Sequence, residues 1–405
     1  MMLCLIGMAS CSNENDSNEN TYPLTIQFEL PEKYSNSNIS SVDITLTELN
    51  TQRKITRSNI KTDGLNATVN VPIGYYKLNA TAKMNYTDEQ GKYASTDIIA
   101  YKDGITVTEN PISISTQMFF DENRNALGFV FAEIFCAGTA NKQGNYYYAD
   151  KYFVIYNNTD HVLYADSLVI AESNFMTTMK ENYSPNIMDT DMAVGAMYMI
   201  PGTGHDVPVQ PGGRLLIVDN AVNHTIANPN SWDFTGADFE WYDESTNPQI
   251  TDVDNQNVPN LEKIYSNSVT VWSPHTQGFK SYALARMHTG KKEFLSDYMY
   301  DFSYHIVGQV GEADMTGSCY RLPNSWILDA VNMSTKAGFQ WIVTSPALDR
   351  GFTYNSDFNF DDSRFGKSVR RKVASMDGQR AILQDTNNST DDFEPRVKAD
   401  PFYFK

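Results

Sequence analysis

The sequence predicts an all-β protein built from two β-sandwich domains, the second carrying long loop insertions. Three observations lead there. Apolar residues recur with period two over short runs, as in Leu24, Ile26, Phe28 and Leu30 and again in Val42, Ile44 and Leu46. That period sets one group of side chains on a single face, as in a half-buried strand. Turn clusters such as Ser35-Asn36-Ser37-Asn38 and Thr62-Asp63-Gly64 separate the runs. The chain of 405 residues also exceeds one ordinary domain of about 150 residues.

Composition excludes several classes. Hydrophobic residues make up 41% of the chain and charged residues 20%, enough apolar material for a core and too little charge for a wholly disordered polymer. Lys and Arg number 31 against 49 Asp and Glu, a net charge of −18. Such a surface repels phosphate backbones and anionic headgroups, which argues against nucleic acid as a partner. No apolar run is long enough for a bilayer-spanning helix.

Residues 1–11 form a short apolar run ending in Met8-Ala9-Ser10-Cys11, followed at once by Ser12-Asn13-Glu14-Asn15-Asp16. This reads as the tail of a secretory signal with a lipobox, in which small residues admit the peptidase and the Cys11 thiol carries the lipid. A short buried strand is the alternative. The run lacks a basic stretch, so the start codon is expected upstream. Residues 12–21 contain no apolar residue and read as a flexible tether. Glu14 and Asp16 resemble the acidic export signals of Bacteroidota surface lipoproteins, a plain linker on the periplasmic face being the alternative. Cys136 and Cys319 then remain in the mature chain, enough for one disulfide but not for a disulfide framework. Whether they pair is open.

Residues 22–118 read as a small β-sandwich. Its Val71-Pro72-Ile73-Gly74-Tyr75-Tyr76 passage resembles the strand–turn–strand of transthyretin-like bacterial sandwiches, where Pro and Gly turn the chain and the tyrosine packs beneath. That resemblance implies a spacer or docking module. A polar junction over Phe119 to Leu127 separates it from residues 126–405.

In the second domain, Phe129-Val130-Phe131-Ala132-Glu133-Ile134-Phe135 opens a new β pattern. Phe153-Val154-Ile155-Tyr156-Asn157-Asn158 and Pro211-Gly212-Gly213 before Leu215 follow. Ser368-Val369-Arg370-Arg371 and Asp385-Thr386-Asn387-Asn388-Ser389-Thr390-Asp391-Asp392-Phe393 close it. Together these resemble the lamin-tail domain, an immunoglobulin-like sandwich. The chain as a whole resembles a Bacteroidota lipoprotein family of unknown function that joins a lipobox, a small sandwich and an elaborated lamin-tail-like domain. Members of that family are commonly encoded beside TonB-dependent outer-membrane receptors. Two insertions, roughly 174–208 and 223–269, are rich in loops, with a short helix expected within Ser184 to Met199. Val154, Tyr156, Leu215, Ile217, Ile327 and Val331 are expected in the core.

Motifs for chemistry are sparse. The six histidines form no H-E-x-x-H pattern. His205-Asp206 is a weak metal candidate, since a site needs three or more convergent ligands. Ser58-Asn59-Ile60-Lys61 spells S-x-x-K between predicted strands rather than at the start of a helix. Asp252-Val253-Asp254-Asn255-Gln256 begins like a calcium loop, but Asn257 and Lys263 replace the glycine and the bidentate glutamate. Asp357-Phe358-Asn359-Phe360-Asp361-Asp362 is better explained as a strand-end turn. No cofactor or metal is expected.

Ser231 to Glu244 is the unusual segment, with five aromatics and five acids in fourteen residues. Exposed aromatics stack on sugars or anchor partners, and carboxylates accept hydroxyl hydrogen bonds. Trp232, Phe234, Phe239, Trp241 and Tyr242 are therefore the candidate binding surface, with capping of the sandwich core as the alternative. The functional expectation is a non-enzymatic lipoprotein anchored to the outer membrane through Cys11, on the cell surface. It would serve as an accessory or binding subunit of a TonB-dependent transporter. The alternatives are an adhesion or structural surface protein and, less readily, a hydrolase with its site in the loops.

Overall fold

The structure is a computed structural model that describes residues 20–30, 37–48, 50–51, 53–87, 93–120, 128–147, 149–308 and 311–404. Cys11, the tether up to Glu19 and junction residues 121–127 lie outside them. The protein is all-β, with 49% strand and 6% helix, and no described helix is long and apolar enough to cross a membrane. It divides into two compact units, Met1–Asp121 and Glu122–Lys405.

The first unit is one seven-stranded sheet. Its order across is Lys54–Lys61, Asn38–Glu48, Gly74–Thr87, Tyr93–Val107, Ile112–Phe120, Thr21–Glu29, Asn66–Pro72. Ile112–Phe120 joins the two halves. Met118 to Phe120 pair antiparallel with Ile98 to Ala100, whereas Ile112 to Gln117 run parallel to Leu24 to Glu29. All seven strands feed one apolar core, including Leu24, Val42, Ile55, Val69, Leu78, Ile98 and Met118, so the halves face each other as sandwich layers. Burial alternates along the strands: Leu24, Ile26 and Phe28 are buried while Gln27 is exposed. Tyr76 is buried and its hydroxyl donates to the Pro72 carbonyl (3.1 Å). A Cβ on Gly74 would sit 3.0 Å from the Tyr76 ring and 3.1 Å from Glu48 Cγ, so a larger residue there would press on both side chains.

The second unit stacks two sheets. One runs Phe239–Glu240, Arg214–Val218, Tyr152–Asn157, Phe129–Phe135, Lys367–Arg371, Phe393–Lys398. The other runs Met299–Gly308, Gly311–Pro323, Asp191–Met199, Leu168–Ser173, Tyr282–Arg286, Ile327–Val331, with Glu262–Ser266 paired to Asp191–Met199. Phe131, Phe153, Ile217, Tyr198, Leu284 and Val331 fill the space between them. The outer faces are also covered. Phe234, Val258, Leu383 and Phe404 pack over Val130, Val154 and Leu216 of the first sheet. Phe294 and Leu348 pack over Val169, Met192 and Ala283 of the second. Central strands are therefore buried at every position, as in Phe129–Phe135, and read as continuous apolar runs rather than alternations. Val154, Tyr156, Leu215, Ile217, Ile327 and Val331 are all buried.

The helix expected within Ser184 to Met199 is corrected: Asp191–Met199 is a strand buried at every position but the last. Ala and Met favour helix in isolation, but pairing with three neighbouring strands decides the outcome. Cys136 and Cys319 are both buried and free.

Candidate functional site

The residues that carry the lamin-tail resemblance meet in space. Glu133 is fully buried. Its Oε2 pairs with Arg370 Nε at 2.7 Å, and its Oε1 accepts from the Tyr152 and Ser368 hydroxyls at 2.7 and 2.6 Å. Arg371, next along the strand, binds Asp329 (2.6 Å) and Asp385 (3.2 Å) and lies over the Phe393 ring at 4.6 Å. These carboxylates and Asp392 hold the Arg371 guanidinium protonated despite burial. Asn157 donates to the His161 and Val209 carbonyls, both at 2.8 Å. Asn158 exchanges two hydrogen bonds with the Leu383 backbone. The motif residues thus form a buried clamp that ties the chain end to the central strands. Buried and mutually paired, they hold structure.

The candidate surface at Ser231 to Glu244 is corrected. Phe234, Phe239 and Trp241 are buried, and Trp232 and Tyr242 are half-buried. Phe239–Glu240 adds parallel to Arg214–Val218 and turns Phe239 and Trp241 into the space between the sheets. Trp241 packs on Phe153 and Trp272, with centroids 5.7 and 5.3 Å apart. Trp232 stands edge-on to Phe135 and Tyr152. Several acids of the segment are internal ties. Asp243 accepts from the Tyr198 hydroxyl and the Trp272 amide, both at 2.7 Å, and pairs with Lys263 at 2.8 Å. Glu240 accepts from the Ala221 and Asn255 amides. Burial pushes the Glu240 carboxyl up.

A second charged group lies inside the same unit. Lys151 is fully buried and its Nζ donates to Ser273 Oγ and to the Pro274 carbonyl. Burial lowers its pKa while Asp219 opposes that shift. Burial likewise raises the Glu172 carboxyl, which accepts from the Tyr282 hydroxyl at 3.1 Å. It also drives the His275 imidazole down to about 4. His224 Nε2 donates to the Asn220 carbonyl, so its Nδ1 accepts from the Tyr147 hydroxyl, each at 2.9 Å. Among the described residues no three His, Cys, Asp or Glu side chains come together to hold a metal. Ser58 and Lys61 lie on one edge strand of the first unit. Asp361 caps a short 3-10 turn by accepting from the Ser363 amide.

A half-buried aromatic cluster lies elsewhere. Phe175, Tyr183, Phe302, Tyr304 and Trp341 are all half-buried and form one ledge. Phe175 and Tyr183 stack with centroids 3.6 Å apart, and Tyr183 and Trp341 lie near-parallel at 5.9 Å. Phe302 meets both Phe175 and Tyr183 edge-on, and Tyr304 lies 5.1 Å from Tyr183. The ledge is held from below. Trp341 Nε1 donates to the Met176 and Met179 carbonyls at 2.8 and 3.0 Å. Ser184 and Ser303 exchange backbone hydrogen bonds at 2.8 and 2.9 Å. Burial and then the neighbouring Tyr304 push the Tyr183 hydroxyl up to about 12, so it stays a donor. Its residues lie far apart in sequence, which is why local reading missed them. Only the alternation of Phe302 and Tyr304 with exposed Ser303 and His305 hints at it.

The architecture is thus that of an all-β sandwich protein whose second unit carries an aromatic ledge. Residues 210–400 match the model of a family described as "Protein of unknown function (DUF4876)". The fold is similar to a crystal structure of a DUF4876 family protein from Bacteroides thetaiotaomicron. The TM-score is 0.53 and the identity 18%, over 93% of this chain and 96% of that one. No curated protein matches the chain.

Proposed function

We propose that the chain is a non-enzymatic lipoprotein, anchored to the outer membrane through Cys11 and facing the cell surface. In this reading it is an accessory or binding subunit of a TonB-dependent transporter. The first unit serves as a spacer and the second, a lamin-tail-like sandwich, as the recognition domain. The observation that carries the reading is the aromatic ledge: five half-buried aromatic side chains gathered on loops and a hairpin, with Phe175 and Phe302 seated on the buried Tyr300 and Cys319 beneath. Binding residues concentrate on such supported loops, and the few residues that dominate binding at protein interfaces are enriched in Trp and Tyr. The lipobox before a polar tether supports the address, because stable anchoring needs the several acyl chains of a lipidated cysteine.

The test has two arms. With an intact leader, Cys11→Ala should move the protein from the membrane fraction to the soluble one. Capture from detergent-solubilised outer membrane should bring down a transporter with the wild type. The Tyr183→Ala/Phe302→Ala double variant should lose it. Membrane retention of Cys11→Ala, or no transporter with the folded wild type, contradicts the reading.

A further inference from the structure

A cleft of about 720 Å³ opens beside the turn at Pro211 and Gly212. It is bounded by the hairpin of Val373–Asp377 and Arg380–Leu383 and by Tyr403 and Phe404 near the chain end. It shares no lining residue with the ledge.

The cleft is built rather than incidental. Tyr156 at its floor donates its hydroxyl to the Ala381 carbonyl at 2.8 Å, fixing the hairpin to the sheet. Gly212 takes φ +71, and a Cβ there would lie 2.8 Å from Arg380 Cγ and 3.1 Å from the Tyr156 hydroxyl. Only glycine lets the turn approach this closely. Tyr403 is 52% exposed. Arg370, which does not line the cleft, lies over the Tyr403 ring at 4.0 Å, and Phe404 meets that ring edge-on at 5.0 Å. The ring is therefore held in one orientation while it lines the cleft.

The polar lining is balanced in charge. Arg380 donates to the Thr159 carbonyl at 3.0 Å and to Asp377 Oδ2 at 2.9 Å. Its charge is thereby matched, which disfavours a phosphate or carboxylate ligand, since such groups seek a free guanidinium. The Asp377 side chain is 65% exposed and its second oxygen is open to accept. Gln379 offers both a donor and an acceptor. A flat aromatic face beside uncharged-in-sum donors and acceptors matches a sugar ring, which pairs an apolar face with hydroxyls that both give and take hydrogen bonds. The volume falls in the range of small-molecule sites, about 300–1,000 Å³.

We infer that this cleft binds a neutral saccharide, its ring stacked on Tyr403 and its hydroxyls bonded to Asp377 and Gln379. The probe is an array of immobilised neutral, sulfated and phosphorylated oligosaccharides, presented to the full chain in detergent, followed by titration of whichever oligosaccharide is retained. The wild type should retain at least one neutral oligosaccharide. Tyr403→Ala and Asp377→Ala should each weaken it about tenfold or more, while Tyr403→Phe, which keeps the ring, should stay within about threefold. Melting temperatures of all three variants should stay close to wild type, because these side chains are largely exposed. An array blank for folded wild type, retention only of sulfated or phosphorylated sugars, or affinity unmoved by Tyr403→Ala would each overturn the proposal.

Discussion

Two aromatic-rich regions of the second unit make opposite use of the same residue types. Between Trp232 and Tyr242 the aromatics are close in sequence, and Phe234, Phe239 and Trp241 are buried. On the ledge, Phe175, Tyr183, Phe302, Tyr304 and Trp341 come from three distant segments and stay half-exposed. The difference follows from how each is made. A local run that enters a sheet, as Phe239–Glu240 does beside Ile217 and Val218, turns every second side chain inward. A surface cluster must instead be assembled from loops that tertiary hydrogen bonds bring together, such as those from Trp341 to Met176 and Met179. Local aromatic density here signals core, and a surface cluster assembled from distant loops leaves little trace in a single window.

The largest effects should come from the buried side of this comparison. Trp241→Ala should lower unfolding free energy by roughly 3–5 kcal/mol through cavity formation, read by chemical denaturation, with capture by the folded fraction unchanged. Arg371→Ala should cost a similar amount, roughly 3–5 kcal/mol, because Asp329, Asp385 and Asp392 would lose their shared buried cation. A loss under 1 kcal/mol for either, on the same order as an exposed ion pair, would mean that these side chains are solvated.

One link between the His275–Phe279 loop and the ledge segment is the Phe279 carbonyl, which accepts from the Thr177 amide at 2.9 Å, while the Phe279 ring stacks on His275. Burial depresses the His275 pKa to about 4, so the fold holds this imidazole neutral. As pH falls below about 6.5, the unfolded chain takes up a proton that the native state refuses, and stability is lost down to pH about 4. The stability difference between wild type and His275→Gln should therefore shift by up to about 3 kcal/mol across that window, to the disadvantage of the wild type at low pH. A difference that is flat with pH would show that water reaches this link.

On the exposed side, Phe302→Ala should lower stability by only about 1–2 kcal/mol, the usual range for point substitutions. Partner capture should fall by about 2 kcal/mol or more. The smallest effect belongs to Glu244→Gln. This exposed acid of the Trp232 segment should leave stability within about 0.5 kcal/mol and capture unaltered. Loss of capture there would return function to that segment.

The same contrast explains how much was legible in the sequence. In the first unit Leu24, Ile26 and Phe28 alternate with outward polar residues because the sheet buries one face, and period two was readable. In the second unit both faces of each sheet are covered, so Phe129–Phe135 is buried throughout. Aromatic and β-branched content still marked it as strand. Asp191–Met199, with its alanines and methionines, reads locally as helix, because the strands that fix it, Leu168–Ser173, Glu262–Ser266 and Gly311–Pro323, lie outside any local window. Glu133, Ser368, Arg370 and Arg371 were conspicuous as motif residues, but only the fold shows that they close on one another. Nothing local in Phe175 or Trp341 announces that they share a ledge.

Hydroxyl-radical footprinting of the folded chain, read residue by residue by mass spectrometry, tests the central contrast most directly. Phe234 and Trp241 should label only after unfolding, while Tyr183, Phe302 and Trp341 should label in the native state. Native labelling of Phe234 and Trp241 at the rate of Tyr183 would contradict the account.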